Sequence, residues 1–250
     1  MRWILVPTFN EEANLPNLAL DLAPYTQRDD TWLVIADDGS TDRTRELVPQ
    51  LFPGARTVVL GDRVNRGPGH AFAIGFDWIL HRAADDDLVI TMEADCTSDI
   101  AILPRMLALT DEGHDLVLAS VYVQGGGFER TTWLRKLFSA AANSIYRSAF
   151  DLQVSTLSSF YRVHRVALLR KAAKQWPKLI EEPGFICMPE LLIKLTRAGA
   201  SVIEVPMVLA SNKRIGPSRM QLTRTALHYV RFLWRFRSGR RRPMRNEQNA

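Results

Sequence analysis

Short apolar runs rich in β-branched residues alternate with stretches of helical periodicity, and this alternation limits what the chain can fold into. The runs are Trp3–Val6, Trp32–Ala36, Thr57–Leu60, Leu88–Met92 and Leu116–Ser120, and helices are predicted over 12–23, 42–51, 68–81 and 100–110. Alternating strands and helices require crossover connections, which are right-handed and build a mostly parallel sheet. The expected fold class is therefore α/β, a Rossmann-like sheet flanked by helices. Ligands of such sheets bind beyond the carboxyl ends of the strands. The segments there are Pro7–Glu12, Asp37–Asp42 and Glu93–Asp95, so the chemistry-bearing residues gather at one sheet edge.

After residue 120 the rhythm changes. Gly125–Gly127 reads as a flexible connection and Trp133–Ser148 as a long helix. Ser155–Val163 and Ser201–Leu209 read as further strands, with a helix near Pro189–Ala198 between them. At 250 residues the chain can bury one sizeable core. One domain is expected over 1–220, with an extension over 221–250. The N-terminus reads as a strand rather than a signal peptide, and no apolar run approaches the length of a bilayer span. The two cysteines, Cys96 and Cys187, form no disulfide framework and point to a reducing compartment, here the cytoplasm.

The net charge of +5 is unevenly placed. Residues 205–246 hold eleven Lys/Arg and no Asp or Glu, whereas residues 1–204 hold twenty-one and twenty-six. The body is thus acidic and the end basic. An electrostatic argument for nucleic acid applies only to that end, and no nucleic acid is expected as a partner.

Five clusters carry candidate chemistry. Glu93 and Asp95, one residue apart after a strand, can reach one divalent cation. Mg²⁺ or Mn²⁺ takes oxygen ligands and shares them with phosphate. Asp37-Asp38-Gly39-Ser40 opens a helix, and two adjacent aspartates exceed what a helix cap needs. Asn65–Ala71 is a glycine-bearing turn into a helix, suited either to phosphate or to close packing. Lys213–Arg219 concentrates cations beside Gly216, as a phosphate clamp or as a solvated loop. Glu181, Glu182 and Glu190 are candidate general bases.

Together these residues resemble inverting family 2 glycosyltransferases of the GT-A fold, in the branch of dolichol-phosphate mannose synthases and other polyprenyl-phosphate sugar transferases. Pro7–Glu11 is similar to P-T-Y-N-E, Asp37–Thr44 to D-D-G-S-x-D-x-T, and Asn65–Gly75 to N-x-G-x-G-x-A-x-x-x-G. Glu93-Ala94-Asp95 stands where the family has D-A-D. Trp133–Asn143 resembles W-x-x-R-x-x-x-S-x-x-A-N with tighter spacing, and Ser158–Arg162 resembles S-G-F-R. Glu204–Pro206 is similar to E-V-P, and Lys213–Arg219 to R-x-x-G-x-S-K.

The resemblance implies that Pro7, Phe9, Glu11, Ile35, Asp37 and Asp38 hold the nucleoside side of a nucleotide sugar of GDP-mannose or UDP-glucose type. It implies that Glu93 and Asp95, with Ala94 between them, bind metal and diphosphate, with Thr97 as third ligand. Lys213 and Arg219 would contact diphosphate or acceptor phosphate, and Arg135 and Ser139 the acceptor phosphate. Glu93 replaces an Asp, Thr97 a Gln, and Val121 an Arg of the family's pattern, while Lys213 and Arg219 exchange its Arg and Lys. The implied reaction moves a hexose, mannose first and glucose second, onto a polyprenyl phosphate with inversion. A hydroxyl acceptor served by a Glu base is the alternative, and a noncatalytic nucleotide- or nucleic-acid-binding module the third reading.

The end of the chain places Leu222, Ala226, Leu227, Val230, Leu233 and Trp234 at helical spacing, with arginines around them and Arg237–Arg245 after them. A basic amphipathic helix of this kind suits an anionic membrane surface, so peripheral membrane association is expected.

Overall fold

A computed structural model describes residues 1–129, 133–216 and 222–237, with side chains at all of these but 133–139, 142, 222–227 and 237. The strands are β1 (Arg2–Thr8), β2 (Thr31–Asp37), β3 (Arg56–Leu60), β4 (Leu88–Thr91), β5 (Leu116–Ser120), β6 (Gly127–Glu129), β7 (Arg162–Arg165), β8 (Val202–Pro206) and β9 (Val208–Ala210). The helices are α1 (Leu15–Thr26), α2 (Thr44–Leu51), α3 (Pro68–Leu80), α4 (Leu103–Asp111), α5 (Trp133–Phe150), α6 (Val166–Gln175), α7 (Cys187–Arg197) and α8 (Leu222–Arg237).

Seven strands form one sheet in the order β3-β2-β1-β4-β7-β5-β8, and β6 pairs with β9 separately. All neighbours in the large sheet are parallel except β7, which runs against both β4 and β5. The central strands are buried on both faces, which is why they read as nearly unbroken apolar runs. The pleat divides them between two layers. Leu5, Val34 and Ala36 pack with Phe72, Phe76 and Leu191 on the side of α3 and α7. Val6, Leu33 and Ile35 pack with Leu18, Val48 and Met106 on the side of α1, α2 and α4.

Register brings the site together. Thr8 pairs with Asp37 at the ends of β1 and β2, and Leu5 pairs with Thr91 at the end of β4. The segments that follow these three strands therefore leave the sheet side by side. Because β7 is antiparallel and Arg162 pairs with Thr91, the segment before β7 arrives at the same edge.

Three expectations need correction. The strand expected over Ser155–Val163 is reduced to Arg162–Arg165. The Arg162 guanidinium is wholly buried and donates to the carbonyls of Leu157, Ser159 and Met188, so residues 157–160 wrap around it instead of pairing. Its burial lowers its pKa to about 10, which leaves it charged at neutral pH. The strand expected over Ser201–Leu209 is broken after Pro206. The Met207 N–H makes the last bond to β5, donating to Ser120 O at 2.8 Å, and β9 then turns away to pair with β6, which starts at the last glycine of the stretch read as a flexible connection. Helix α6 was not anticipated at all.

Helix α8 also differs from the expected pattern. Phe232 and Phe236 face the protein, packing on Tyr146 and Phe150 of α5 and on Trp176. Tyr146 Oη donates to the Tyr229 carbonyl at 2.7 Å. Val230 and Trp234 point outward, 68% and 61% exposed, between the exposed Arg231 and Arg235. The helix thus has a docked aromatic face and a separate surface face that is apolar and basic.

Candidate active site

The first two segments are stitched to each other. Asn10, held at φ 55°, accepts at its side-chain oxygen from the backbone of Thr41 at 2.8 Å, and its own N–H donates to Ser40 Oγ at 2.9 Å. The Glu11 N–H donates to Thr44 Oγ1, and Asp42 Oδ1 caps the first turn of α2 through the Thr44 N–H. Pro7, Phe9 and Glu11 are half-buried at this edge.

Asp37 and Asp38 are used within the protein. Asp37 Oδ2 accepts from Arg45 at 3.1 Å and from the Ser40 N–H at 3.2 Å, and Oδ1 accepts from Thr8 Oγ1 at 3.4 Å. Asp38 receives the N–H groups of Arg66 and Gly67 at 2.8 and 2.7 Å. Burial nonetheless raises its pKa above the ordinary carboxylate value. Both carboxylates expected to face a nucleoside are therefore also used to brace the loops around them. Asp37 fixes the turn before α2, and Asp38 fixes the glycine turn before α3. Ile35 lies wholly inside the α1–α2–α4 layer, so its side chain offers a ligand no surface.

That glycine turn is a close-packed junction, one of the two readings its sequence allowed. The Gly69 N–H donates to Pro183 O at 2.8 Å, and a Cβ on Gly69 would stand 1.9 Å from Glu182 O. The 181–184 segment is held in turn by Glu190. Its Oε2 accepts the N–H groups of Glu181 and Glu182 at 3.0 and 2.8 Å, and its Oε1 accepts from Lys194 Nζ at 2.8 Å. Glu190 and Lys194 are both fully buried. Glu190 is thereby removed from the list of general bases, because its carboxylate is enclosed and anchors a loop.

The acid pair lies just beyond β4. Glu93 is half-buried and accepts from Ser98 Oγ at 2.8 Å. Burial, followed by the charge of Asp95, pushes its pKa up to about 6. Asp95 Oδ1 accepts the Thr97 N–H at 3.1 Å and Thr97 Oγ1 at 2.7 Å. Thr97 thus orients Asp95 by donating to it. Asp95 Oδ2 accepts from Arg214 through Nε at 2.6 Å and through Nη2. Among the described residues no group of three His, Cys, Asp or Glu side chains gathers to hold a metal ion.

The cationic segment 213–216 reaches this pair through Arg214 on Asp95. Its anchor is Asn14, a buried side chain that accepts from the Ile215 N–H at 2.8 Å and donates to Ile215 O at 3.2 Å. The same Asn14 amide donates to Glu11 Oε2 at 2.7 Å. Lys213 is exposed on this segment. Arg219 lies outside the described residues. Arg135 and Ser139 lie on α5, but their side chains are outside the described set. Ala94 is buried between the two acids. Sequence reasoning missed Arg214 and Asn14 as site residues. Arg214 was visible as a neighbour of Lys213, whereas an Asn just before Leu-Pro reads as a helix cap.

The family profile described as Glycosyl transferase family 2 matches residues 3–175. The chain is 29% identical over 219 residues to the polyprenol monophosphomannose synthase of Mycolicibacterium smegmatis, covering 87% of this chain and 80% of that protein. It is 28% identical over 236 residues to the dolichol-phosphate mannosyltransferase of Pyrococcus furiosus, covering 93% of this chain but 62% of the relative. Among solved structures, it resembles the glucosyl-3-phosphoglycerate synthase of Mycobacterium tuberculosis in complex with Mn²⁺, UDP-glucose and glycerol 3-phosphate. There the TM-score is 0.65 at 20% identity, over 96% of this chain and 80% of that one. The same enzyme with Mg²⁺ and UDP gives a TM-score of 0.64 at 19% identity, over 93% and 79% of the two chains. At such identities the likeness concerns the fold, which is of the GT-A type.

Proposed function

Since the chain belongs to glycosyl transferase family 2, we propose that it is a glycosyltransferase that moves a hexose, mannose by first choice, from a nucleoside diphosphate sugar to a polyprenyl phosphate. The observation that carries this reading is Arg214, on the segment 213–216 latched by Asn14, paired with Asp95 next to Glu93. It sets a cationic side chain at an acid pair, a combination suited to holding a diphosphate with a divalent cation.

The acid pair fits a divalent cation. Two carboxylates are enough for Mg²⁺ or Mn²⁺, which completes its shell with water and substrate phosphate. Asp95 Oδ2 already carries a cationic group in the form of Arg214. When bound, such an ion would supply charge neutralisation at the leaving diphosphate. Glu93 and Asp95 would hold it, and Thr97 would keep Asp95 aimed. Glu11, at the edge that Asn10 and Asp42 stitch together, would meet the nucleoside with Pro7 and Phe9. Lys213 would meet the diphosphate, and Arg219, Arg135 and Ser139 remain the candidates for acceptor phosphate.

The two acceptor classes differ in the base they need. A phosphate monoester loses its second proton near pH 6, so it needs no strong base to attack the anomeric carbon. A hydroxyl acceptor would need one, and with Glu190 buried that role would fall to Glu181 or Glu182. A panel of GDP- and UDP-sugars offered with polyprenyl phosphate or with sugar hydroxyls, read by product mass, tests this. Hexosyl lipid phosphate is expected, and product on hydroxyl acceptors alone would sink the reading.

No helix among the described residues is long and apolar enough to cross a membrane. The outward face of α8, with Val230, Arg231, Trp234 and Arg235, is proposed to rest on an anionic lipid surface near the acceptor. The full chain should float with anionic vesicles at low salt, and the double change Val230→Glu with Trp234→Glu should reduce flotation severalfold. Failure of the unaltered chain to float removes the proposal.

A further inference from the structure

Asp95 is fully engaged, and its partners are not equivalent. Oδ1 is held by Thr97, two residues along the same turn. Oδ2 is held by Arg214, 119 residues away in sequence, on a segment that crosses the site from the far end of the chain. The Asp95 side chain is 9% exposed, so its charge is costly without a partner, whereas the Arg214 side chain is 27% exposed and can turn toward solvent. Of the groups on Asp95, Arg214 is the displaceable one. It is also a cation, so exchanging it for a metal ion keeps the buried carboxylate neutralised throughout.

Arg214 does not hold this position unaided. Asn14 pairs with both the N–H and the C=O of Ile215, which fixes the backbone one residue beyond the guanidinium. The amide that makes this latch also donates to Glu11 Oε2. One buried side chain thus ties the segment bearing Arg214 to the edge proposed to meet the nucleoside.

We propose that Arg214 is an internal competitor for the metal position on Asp95, and that Asn14 is the positioning residue that keeps it there. The inference rests on the metal reading of Glu93 and Asp95 given above. In the protein without donor, Arg214 lowers the affinity for a divalent cation. Once displaced, its planar guanidinium lies beside the ion, where it suits a phosphate of the bound diphosphate. The device withholds tight metal binding until Arg214 has a second anion to pair with.

The experiment is a Mn²⁺ titration of the full chain without nucleotide, followed by the electron paramagnetic resonance of free Mn²⁺. Thermal melting verifies that each variant is folded. Arg214→Gln should bind Mn²⁺ on the order of tenfold more tightly than the unaltered protein, a coupling of ordinary size between two ligands of one group. Asn14→Ala, which leaves Asp95 and Arg214 in place but frees the segment, should shift affinity in the same direction by less. A purely structural Arg214 would leave affinity unchanged or weaken it. Equal or weaker Mn²⁺ binding by Arg214→Gln, with measurable binding by the unaltered chain, overturns the competition and leaves the metal reading standing. If no variant binds Mn²⁺ with or without GDP or UDP, the metal reading itself falls, and the proposal with it.

Discussion

Asp95→Ala should lower hexose transfer by at least about 10²–10³-fold, the usual cost of removing one group that stabilises charge at a reacting centre. Asp95 is the one site residue on which the buried Thr97, the cationic segment and the proposed metal all converge. The fold should survive the change. The residue lies past the end of β4, so no strand pairing depends on it, and its loss leaves Arg214 able to reach solvent. The check is a transfer assay paired with a melting curve. Activity within a few-fold of normal would remove Asp95 from the chemistry. A collapsed melting transition would instead make its role structural.

The second large effect is expected far from the acid pair. Lys194→Met removes the ammonium from the fully buried Glu190 carboxylate, which the N–H groups of Glu181 and Glu182 also hold. Breaking a buried ion pair in this way costs about 3–5 kcal/mol, because a buried charge loses its partner. At roughly 2–4 °C per kcal/mol for a chain of this size, the melting temperature should fall by about 6–20 °C. Adding Glu190→Gln to Lys194→Met should recover much of that loss, since a neutral amide still accepts both N–H groups. An enclosed Glu190 makes one more distinction. As a general base, Glu190→Gln would lose rate in a well-folded protein, whereas as an anchor it should lose stability first. A melting temperature unchanged by Lys194→Met would contradict this assignment.

The fold was legible wherever a strand is buried on both faces. Thr31–Asp37 and Leu116–Ser120 are such strands, and a nearly unbroken apolar run is the direct consequence. The sequence failed where a single side chain overrides the local pattern. Residues 155–161 have strand-like composition, but the buried Arg162 takes the carbonyls of Leu157 and Ser159, along with that of Met188 in α7, and the segment wraps around it instead of pairing. Likewise β8 ends at Pro206 inside a run that otherwise reads as one strand, because the residues after it turn to pair with β6.

In the site the ordering of loops was readable and the allocation of charges was not. Pro7–Glu12, Asp37–Asp42 and Glu93–Asp95 do meet at one edge, because register follows from strand pairing. Yet Asp37 and Asp38 read as ligand-binding acids in sequence, and only the fold shows that Arg45, Arg66 and Gly67 also hydrogen-bond to them. Arg214 and Asn14 escaped for the opposite reason. Their partners lie 119 and 201 residues away in sequence, and no local spacing encodes a contact of that range.

One assay bears most directly on the central claim, that a metal-dependent site at Glu93 and Asp95 transfers hexose to lipid phosphate. The full chain is incubated with GDP-mannose, a polyprenyl phosphate and Mn²⁺, and the lipid fraction is weighed by mass spectrometry. The account predicts a lipid phosphate heavier by one hexose, absent when the metal is chelated and nearly absent with Asp95→Ala. Unaltered lipid phosphate with every GDP- and UDP-sugar tried, or undiminished product after chelation, would contradict it.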